Sequence, residues 1–286
     1  MPRPQKNTPN LFHPSLIPEG RMVMMSFCSG SCGNCYFLSN GDHAILIDAG
    51  VSYRRLRQVL FSVGQSPSSI EAILLTHDHM DHIRGIGSLC KGLSVPVYAT
   101  PAVHDKLAHH VNAVPYINGC RKDFPEGDCM TIAGMKVRNF EVPHDATQTV
   151  GYYIEDPVSG ENFLMATDIG RPTLEVYSLS KEATTIVIES NYDMDMLIAG
   201  PYPEDLKRRI CRGHGHMSNA QCAQVLGNVV HPGLKNVFLC HLSENNNTPT
   251  AAFAASSEAL SDAGVEDGTI SLRALPRRTP SPLFVL

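Results

Sequence analysis

The stretch "LLTHDHMDH", Leu74 to His82, decides the fold. Its leucines close an apolar run, "SIEAILL", with the length and composition of a buried strand, and polar residues begin where that strand would leave the core. In extended chain alternate side chains point the same way, so His77 and His79 can grip one cation. Asp81 and His82, at the turn into a following helix, face another. Three of the chain's thirteen histidines fall within six residues here. A solvated polar loop does not explain that concentration, whereas zinc, manganese and iron take such imidazole and carboxylate donors readily.

Working outward, "MVMMSF", "CYFLSN" and "AILIDAG" predict three short strands separated by the turns "CSGSCGN" and "GDH". "YRRLRQVLFSVG" has apolar residues at helical spacing and stops at Gly64. Beyond the histidines come a helix in "HIRGIGSLCKGL", a strand in "VPVYAT" and a proline-opened helix in "PAVHDKLAHHV". Strands dominate from Met130 to Ala166, and helices alternate with strands from there to "TISLRAL". Two halves, each β-rich and then α/β, predict two sheets packed face to face with helices outside. The expected division is one domain over 21–275, a loosely ordered proline-rich extension over 1–20, and a loosely packed tail over 276–286.

Composition narrows the function. A chain of 286 residues with net charge −5 does not grip nucleic acid with its whole surface, so any polyanion site must be focal. The N-terminal residues lack the apolar stretch of a signal peptide, and no run of about 18 apolar residues predicts a membrane span. A cytoplasmic location is the expectation. Nine cysteines, an odd number, suit free thiols in a reducing compartment. "FCSGSCGNCYF" gives Cys28, Cys32 and Cys35 the spacing with which radical enzymes hold an iron–sulfur cluster. No (β/α) barrel pattern follows to host one, and the expectation is a tight glycine-rich turn carrying thiols that would attract soft cations.

The histidine stretch resembles the HxHxDH signature of the metallo-β-lactamase fold, and the order of elements fits that family's four-layer αββα sandwich, an α/β architecture. The resemblance implies two divalent metal ions, zinc or manganese with iron as a further possibility. It also implies later ligands at the ends of apolar runs: His144 in "EVPHDA" with His77 and His79, Asp168 in "LMATDIG" bridging, and His241 in "VFLCHLS" with Asp81 and His82. Several branches of the fold fit poorly. Flavodiiron reductases carry Glu where this chain has His79, glyoxalase II ends in a helical domain, and β-CASP nucleases insert a whole extra domain.

Two stretches point to a phosphodiesterase. "VIESNYD" with Glu189 and "GHGHMSNAQ" with His216 resemble the elements of RNase Z in which a Glu orients a His that protonates the departing oxygen. The match is partial, since Ile188 stands where that family has His and Asn219 follows Ser218. "SGSCGN", "THDHMDHIRG", "PHDA", "ATDIG", "ESNYDMDML", "YPEDLKRRI", "GHMSN" and "HLSENNN" resemble, in order, segments of the WalJ/YycJ family, described as probable 5′→3′ exonucleases on DNA. That resemblance covers roughly residues 24–258. Catalytic roles are expected for Asp81, Glu189 and His216, the last two from the RNase Z resemblance. Lys207, Arg208, Arg209 and Arg212, just before the proposed acid, would track a polyanionic backbone, with Ser218, Asn219 and Asn245 as further substrate contacts. DNA is the expected partner. A small-molecule hydrolase acting on a cyclic phosphodiester, lactone or thioester, and a signalling accessory with structural metals, are the alternatives.

Overall fold

The structure, a computed structural model, describes residues 20–41, 43–111 and 113–286. The extension expected over 1–20 therefore lies outside the described residues except for Gly20. The chain opens as a meander of β1 (Val23–Gly30), β2 (Gly33–Ser39) and β3 (Ala44–Ile47). Helix α1 (Tyr53–Ser62) leads to β4 (Ile70–Leu74), then α2 (Met80–Ile83) and α3 (Ile86–Leu93) to β5 (Val97–Ala99). Helices α4 (Pro101–Leu107) and α5 (Val114–Cys120) lead to β6 (Arg121–Asp123). A second meander follows: β7 (Cys129–Ile132), β8 (Met135–Glu141), β9 (Val150–Glu155) and β10 (Asn162–Ala166). The remaining elements are α6 (Leu174–Ser180), β11 (Thr185–Glu189), α7 (Met194–Ala199), α8 (Glu204–Cys211) and α9 (Asn219–Val229). They end with β12 (Asn236–Cys240), α10 (Pro249–Asp262), β13 (Ser271–Ala274) and β14 (Phe284–Val285).

One sheet runs β14-β1-β2-β3-β4-β5-β6 and the other β13-β12-β11-β10-β9-β8-β7. Each is antiparallel through its meander and parallel after it, from β3 to β6 and from β10 to β13. Strand alternation sorts the side chains into layers. Ile45 and Ile47 join Tyr152, Phe163 and Phe238 between the sheets. Ala44 and Leu46 face outward with Leu56 and Leu60 of α1 and Leu89 of α3. In the second half Ile186 and Ile188 face outward with Val176 of α6, Val225 of α9 and Leu260 of α10. The result is an αββα sandwich, and strands covered on both faces are apolar over nearly their whole length, as β3 and β11 are.

Three local expectations are corrected. The helix expected from His82 to Leu93 is broken into α2 and α3 at Gly85, where a Cβ would lie 1.9 Å from the Val51 carbonyl oxygen. Helix α5 and the short β6 were not foreseen, because "VPYINGC" mixes proline, glycine and β-branched residues and "RKD" has no strand composition. The tail does not pack loosely. Phe284 pairs with Met24 in β1 and lies 4.8 Å, centroid to centroid, from Phe238, while Leu286 is buried.

Candidate metal centre and hydrolytic cleft

Strand β4 ends at Leu74, and the residues that follow deliver the histidines at its carboxyl end. Polar groups from five other strand ends meet them there. His77, His79 and His144 form one group whose potential ligand atoms lie within 4.8 Å of one another, and Asp81, His82 and His241 form a second. Asp168 belongs to further groups with His77 and His82, and with Glu189, His216 and His241, so it stands between the two sets. Its Oδ2 is 3.1 Å from His82 Nε2 and its Oδ1 is 3.7 Å from His144 Nε2.

The hydrogen bonds behind these rings fix which nitrogen faces inward. Thr76 donates its hydroxyl to Asp48 and so accepts from His77 Nδ1 at 2.9 Å. His82 Nδ1 donates to Asp48 Oδ2 at 2.7 Å, His144 Nδ1 to the Gly215 carbonyl at 2.8 Å, and His241 Nδ1 to Glu189 Oε1 at 2.8 Å. In each ring Nδ1 is engaged by the surrounding protein, which leaves Nε2 as the atom that faces the cluster. His77 Nε2 and His241 Nε2 are buried without a well-formed hydrogen bond, the latter 3.4 Å from Asp81 Oδ2. Unpaired buried nitrogens are costly in an ordinary core, so these donors fit divalent cations.

The electrostatics agree. Burial, reinforced by the charge of His82, holds His77 well below the usual imidazole range, so it is neutral and able to ligate at neutral pH. Burial opposes charge on Asp81, yet His82 and His241 outweigh it and hold the carboxyl far below its usual range. Burial likewise opposes charge on His82, but Asp48, Asp168 and Asp81 push its pKa well up. Asp48, Asp168 and Glu189 are fully or almost fully buried. Such a set of carboxylates requires positive charge in its midst.

Backbone conformation shows the same concentration. Asp48, Asp168 and His241 adopt left-handed φ values of 63°, 52° and 52°. Each follows a strand by one or two positions, where the turn aims the side chain into the centre at a local cost of roughly 1 kcal/mol or more. Gly50 supports the turn from β3, since a Cβ there would lie 2.1 Å from the Asp81 carbonyl oxygen and 2.3 Å from Asn34 N.

Glu189 serves two rings at once. Its Oε1 accepts from His241 Nδ1 and, at 2.9 Å, from His216 Nδ1. Its Oε2 accepts from the backbone N–H groups of Ile169 and Met217. Burial alone would lower the His216 pKa; Glu189 reverses this and raises it. His216 stays part-exposed and lines a cavity of about 300 Å³ with His79, Asp81, Asp168 and His241. One wall of that cavity is Tyr202, Leu206 and Ile210, with Arg209 at its edge.

The expected substrate contacts fare unevenly. Arg209 pairs with Asp145 at the cavity, and Arg208 and Arg212 line an adjoining hollow. Lys207 turns away, donating to the Ile198 carbonyl at 2.7 Å and pairing with Glu204 at 3.3 Å. Ser218 caps α9 in a reciprocal pair with Gln221, and Asn219 exchanges hydrogen bonds with Asn247. Both are buried, and their side chains are engaged within the protein. The exposed Asn245 amide donates to the Tyr202 hydroxyl at 3.1 Å.

Two residues of the centre were missed. Asp48 holds His82 and Thr76, and Asn34 donates to Asp81 Oδ2 at 3.0 Å. "ILIDAG" carried the same signal that exposed "LMATDIG", an Asp closing an apolar strand before a glycine. The thiols of the cysteine turn stand apart from the centre, although its Asn34 belongs to it. Among the described residues no candidate ligand group contains a cysteine. Cys28 and Cys35 face each other across β1 and β2, burial pushes the Cys28 thiol up to about 12, and Cys32 Sγ donates to the Arg277 carbonyl. Buried thiols pushed up in this way, as those of Cys28 and Cys35 are, make poor ligands and nucleophiles.

A fold of two sheets between helices, with histidines and aspartates gathered at the strand ends, defines a metal-dependent hydrolase. The family model described as the beta-lactamase superfamily domain matches residues 43–241, and the chain belongs to that superfamily. Within it, the chain is 31% identical over 236 residues to Exodeoxyribonuclease YycJ of Bacillus anthracis, covering 82% of this chain and 88% of that protein. It is 30% identical over 220 residues to Exodeoxyribonuclease WalJ of Streptococcus pneumoniae, covering 77% and 81%. Among solved structures, Zn(2+)-bound PqqB from Methylobacterium extorquens matches with a TM-score of 0.68 at 17% identity, covering 91% of this chain and 99% of that one. Human tRNase Z, short form, matches with a TM-score of 0.60 at 14% identity, covering 91% and 98%. These two likenesses are of fold. No described helix is long and apolar enough to cross a membrane.

Proposed function

We propose that the protein is a two-metal phosphodiesterase that removes nucleotides from the 5′ end of DNA. The observation that carries this reading is the Glu189–His216 pair at the edge of the histidine–aspartate cluster, because a phosphodiester needs a proton donor for its leaving oxygen. His77, His79 and His144 would hold one divalent cation and Asp81, His82 and His241 the other, with Asp168 shared. Cations held there would supply Lewis acidity, lowering the pKa of a nearby water and offsetting the charge of the phosphate. Zinc and manganese both suit these donors, and iron is chemically compatible.

The chain's own residues do the rest. Asp48 and Glu189 hold His82 and His241 in the ligating tautomer. His216, its Nδ1 fixed by Glu189, presents its other ring nitrogen to the cleft and keeps a proton there for the departing 3′-oxygen. Arg209 at the cleft edge can exchange Asp145 for a substrate phosphate. The names of the YycJ and WalJ relatives support DNA as the polymer.

Elemental analysis of purified protein, combined with hydrolysis of single- and double-stranded DNA labelled at either end, tests the reading. Metal-dependent release of 5′-phosphorylated mononucleotides from the 5′ end, abolished in Asp81→Ala, is the expected result. Turnover of bis(p-nitrophenyl) phosphate or a lactone, with DNA of every kind left intact, would assign the chain to small-molecule hydrolysis instead.

A further inference from the structure

The floor of the hydrolytic cleft is polar, yet the wall contributed by α8 and the residues before it is apolar. Tyr202, Leu206 and Ile210 line the same cavity as Asp168 and His216. Tyr202 and Leu206 are part-buried against the small cluster of Tyr192, Leu197 and Ile210, which anchors this wall on the molecule. The Tyr202 hydroxyl accepts from the Asn245 amide at 3.1 Å, which restrains the ring from a second direction. An aromatic ring held at both ends beside a phosphate-hydrolysing centre has two chemically distinct sides to offer a ligand. Phosphate suits the polar floor, and a flat, apolar group suits the wall.

Resting on the nuclease reading, we propose that Tyr202 is a stacking platform for the nucleobase next to the scissile phosphate. Every base has a π-face, so such a contact grips any nucleotide without selecting a sequence, as an end-trimming enzyme requires. Leu206 and Ile210 extend the platform under the base, and the Asn245 contact limits the ring's freedom before substrate arrives. The same contact separates nucleic acid from alkyl phosphodiesters and lactones, which have no flat group to place there. Tyr202 thus acts on substrate selection and positioning, while the proton and metal chemistry stays with the cluster.

The test uses full-length, metal-loaded protein and three single-stranded, 5′-phosphorylated octadeoxynucleotides. One is unmodified, and the others carry a tetrahydrofuran abasic residue at the first or the second nucleotide. For the wild type, one of the two abasic positions should lower kcat/KM about tenfold. Tyr202→Ala should erase that discrimination by slowing the unmodified substrate to the abasic rate. Tyr202→Phe, which keeps the ring and its packing, should preserve it. Equal cleavage of all three substrates by the wild type overturns the proposal, as does discrimination that survives in Tyr202→Ala or disappears in Tyr202→Phe. Intact DNA throughout, alongside turnover of bis(p-nitrophenyl) phosphate, overturns the nuclease reading and the platform with it.

Discussion

At the scale of the residue, the centre depends on the groups that hold its ligands as much as on the ligands. Asp48 shows this most directly, since it pins His82 through Nδ1 and, through Thr76, sets the tautomer of His77. Asp48→Asn should leave the fold intact and weaken metal affinity by roughly 10- to 100-fold, measured by competition with a chelating dye. Glu189 and His216 should separate cleanly. Replacing His216 with Asn should lower kcat by roughly 10²–10⁴-fold with metal content unchanged. Glu189→Gln should lower both kcat and metal content, because the same carboxylate oxygen holds His216 and the proposed ligand His241. Loss of metal in the His216 variant would assign that ring to coordination. The convergence of these histidines and aspartates was legible in the sequence because they follow the ends of apolar runs, and so was the Glu189–His216 contact. Asp48 and Asn34 were not picked out, since their work is done on other side chains. The inward turn of Ser218 and Asn219 was hidden for a related reason: a residue at a helix start looks the same whether it caps the helix or meets a ligand.

At the scale of the element, strands and capped helices were readable and irregular pieces were not. Pro101 announced α4, and the alternating burial of β8 matched its sequence. The break at Gly85 and the pairing of β14 depend on contacts with distant segments, which local composition does not carry. Phe284 in β14 lies against Phe238 and under the Arg273 guanidinium. Phe284→Ala should therefore lower the free energy of unfolding by roughly 1–3 kcal/mol, measured by urea denaturation. Helix α4 carries a pH-sensitive anchor. His104 is buried, and its Nε2–H donates to the carbonyls of Val97 in β5 and Lys122 in β6. Burial lowers its folded pKa, so the unfolded chain binds the proton more readily. Its contribution is complete above the unfolded value of about 6.5 and is lost as pH falls through the depressed folded value. Acidification from pH 7.5 to 5 should lower the urea midpoint of the wild type more than that of His104→Gln; an equal drop in both would place the acid sensitivity elsewhere.

At the scale of the molecule, two halves of like construction bring the carboxyl ends of their strands to one seam. The first half supplies His77, His79, Asp81 and His82, and the second His144, Asp168 and His241. Each proposed cation thus touches both halves. Removing metal with a chelator should abolish hydrolysis, and restoring zinc or manganese should recover it, followed as release of nucleotides. It should also lower the melting temperature, since an ion that binds only the folded chain stabilises it by mass action. A further consequence concerns assembly during synthesis. The early half emerges with its imidazoles bared and none of their partners yet made, so metal captured then would be held by a fraction of the final donors and readily lost. Durable loading has to await closure of the seam, and the order of events in the cell would be folding first and metallation second.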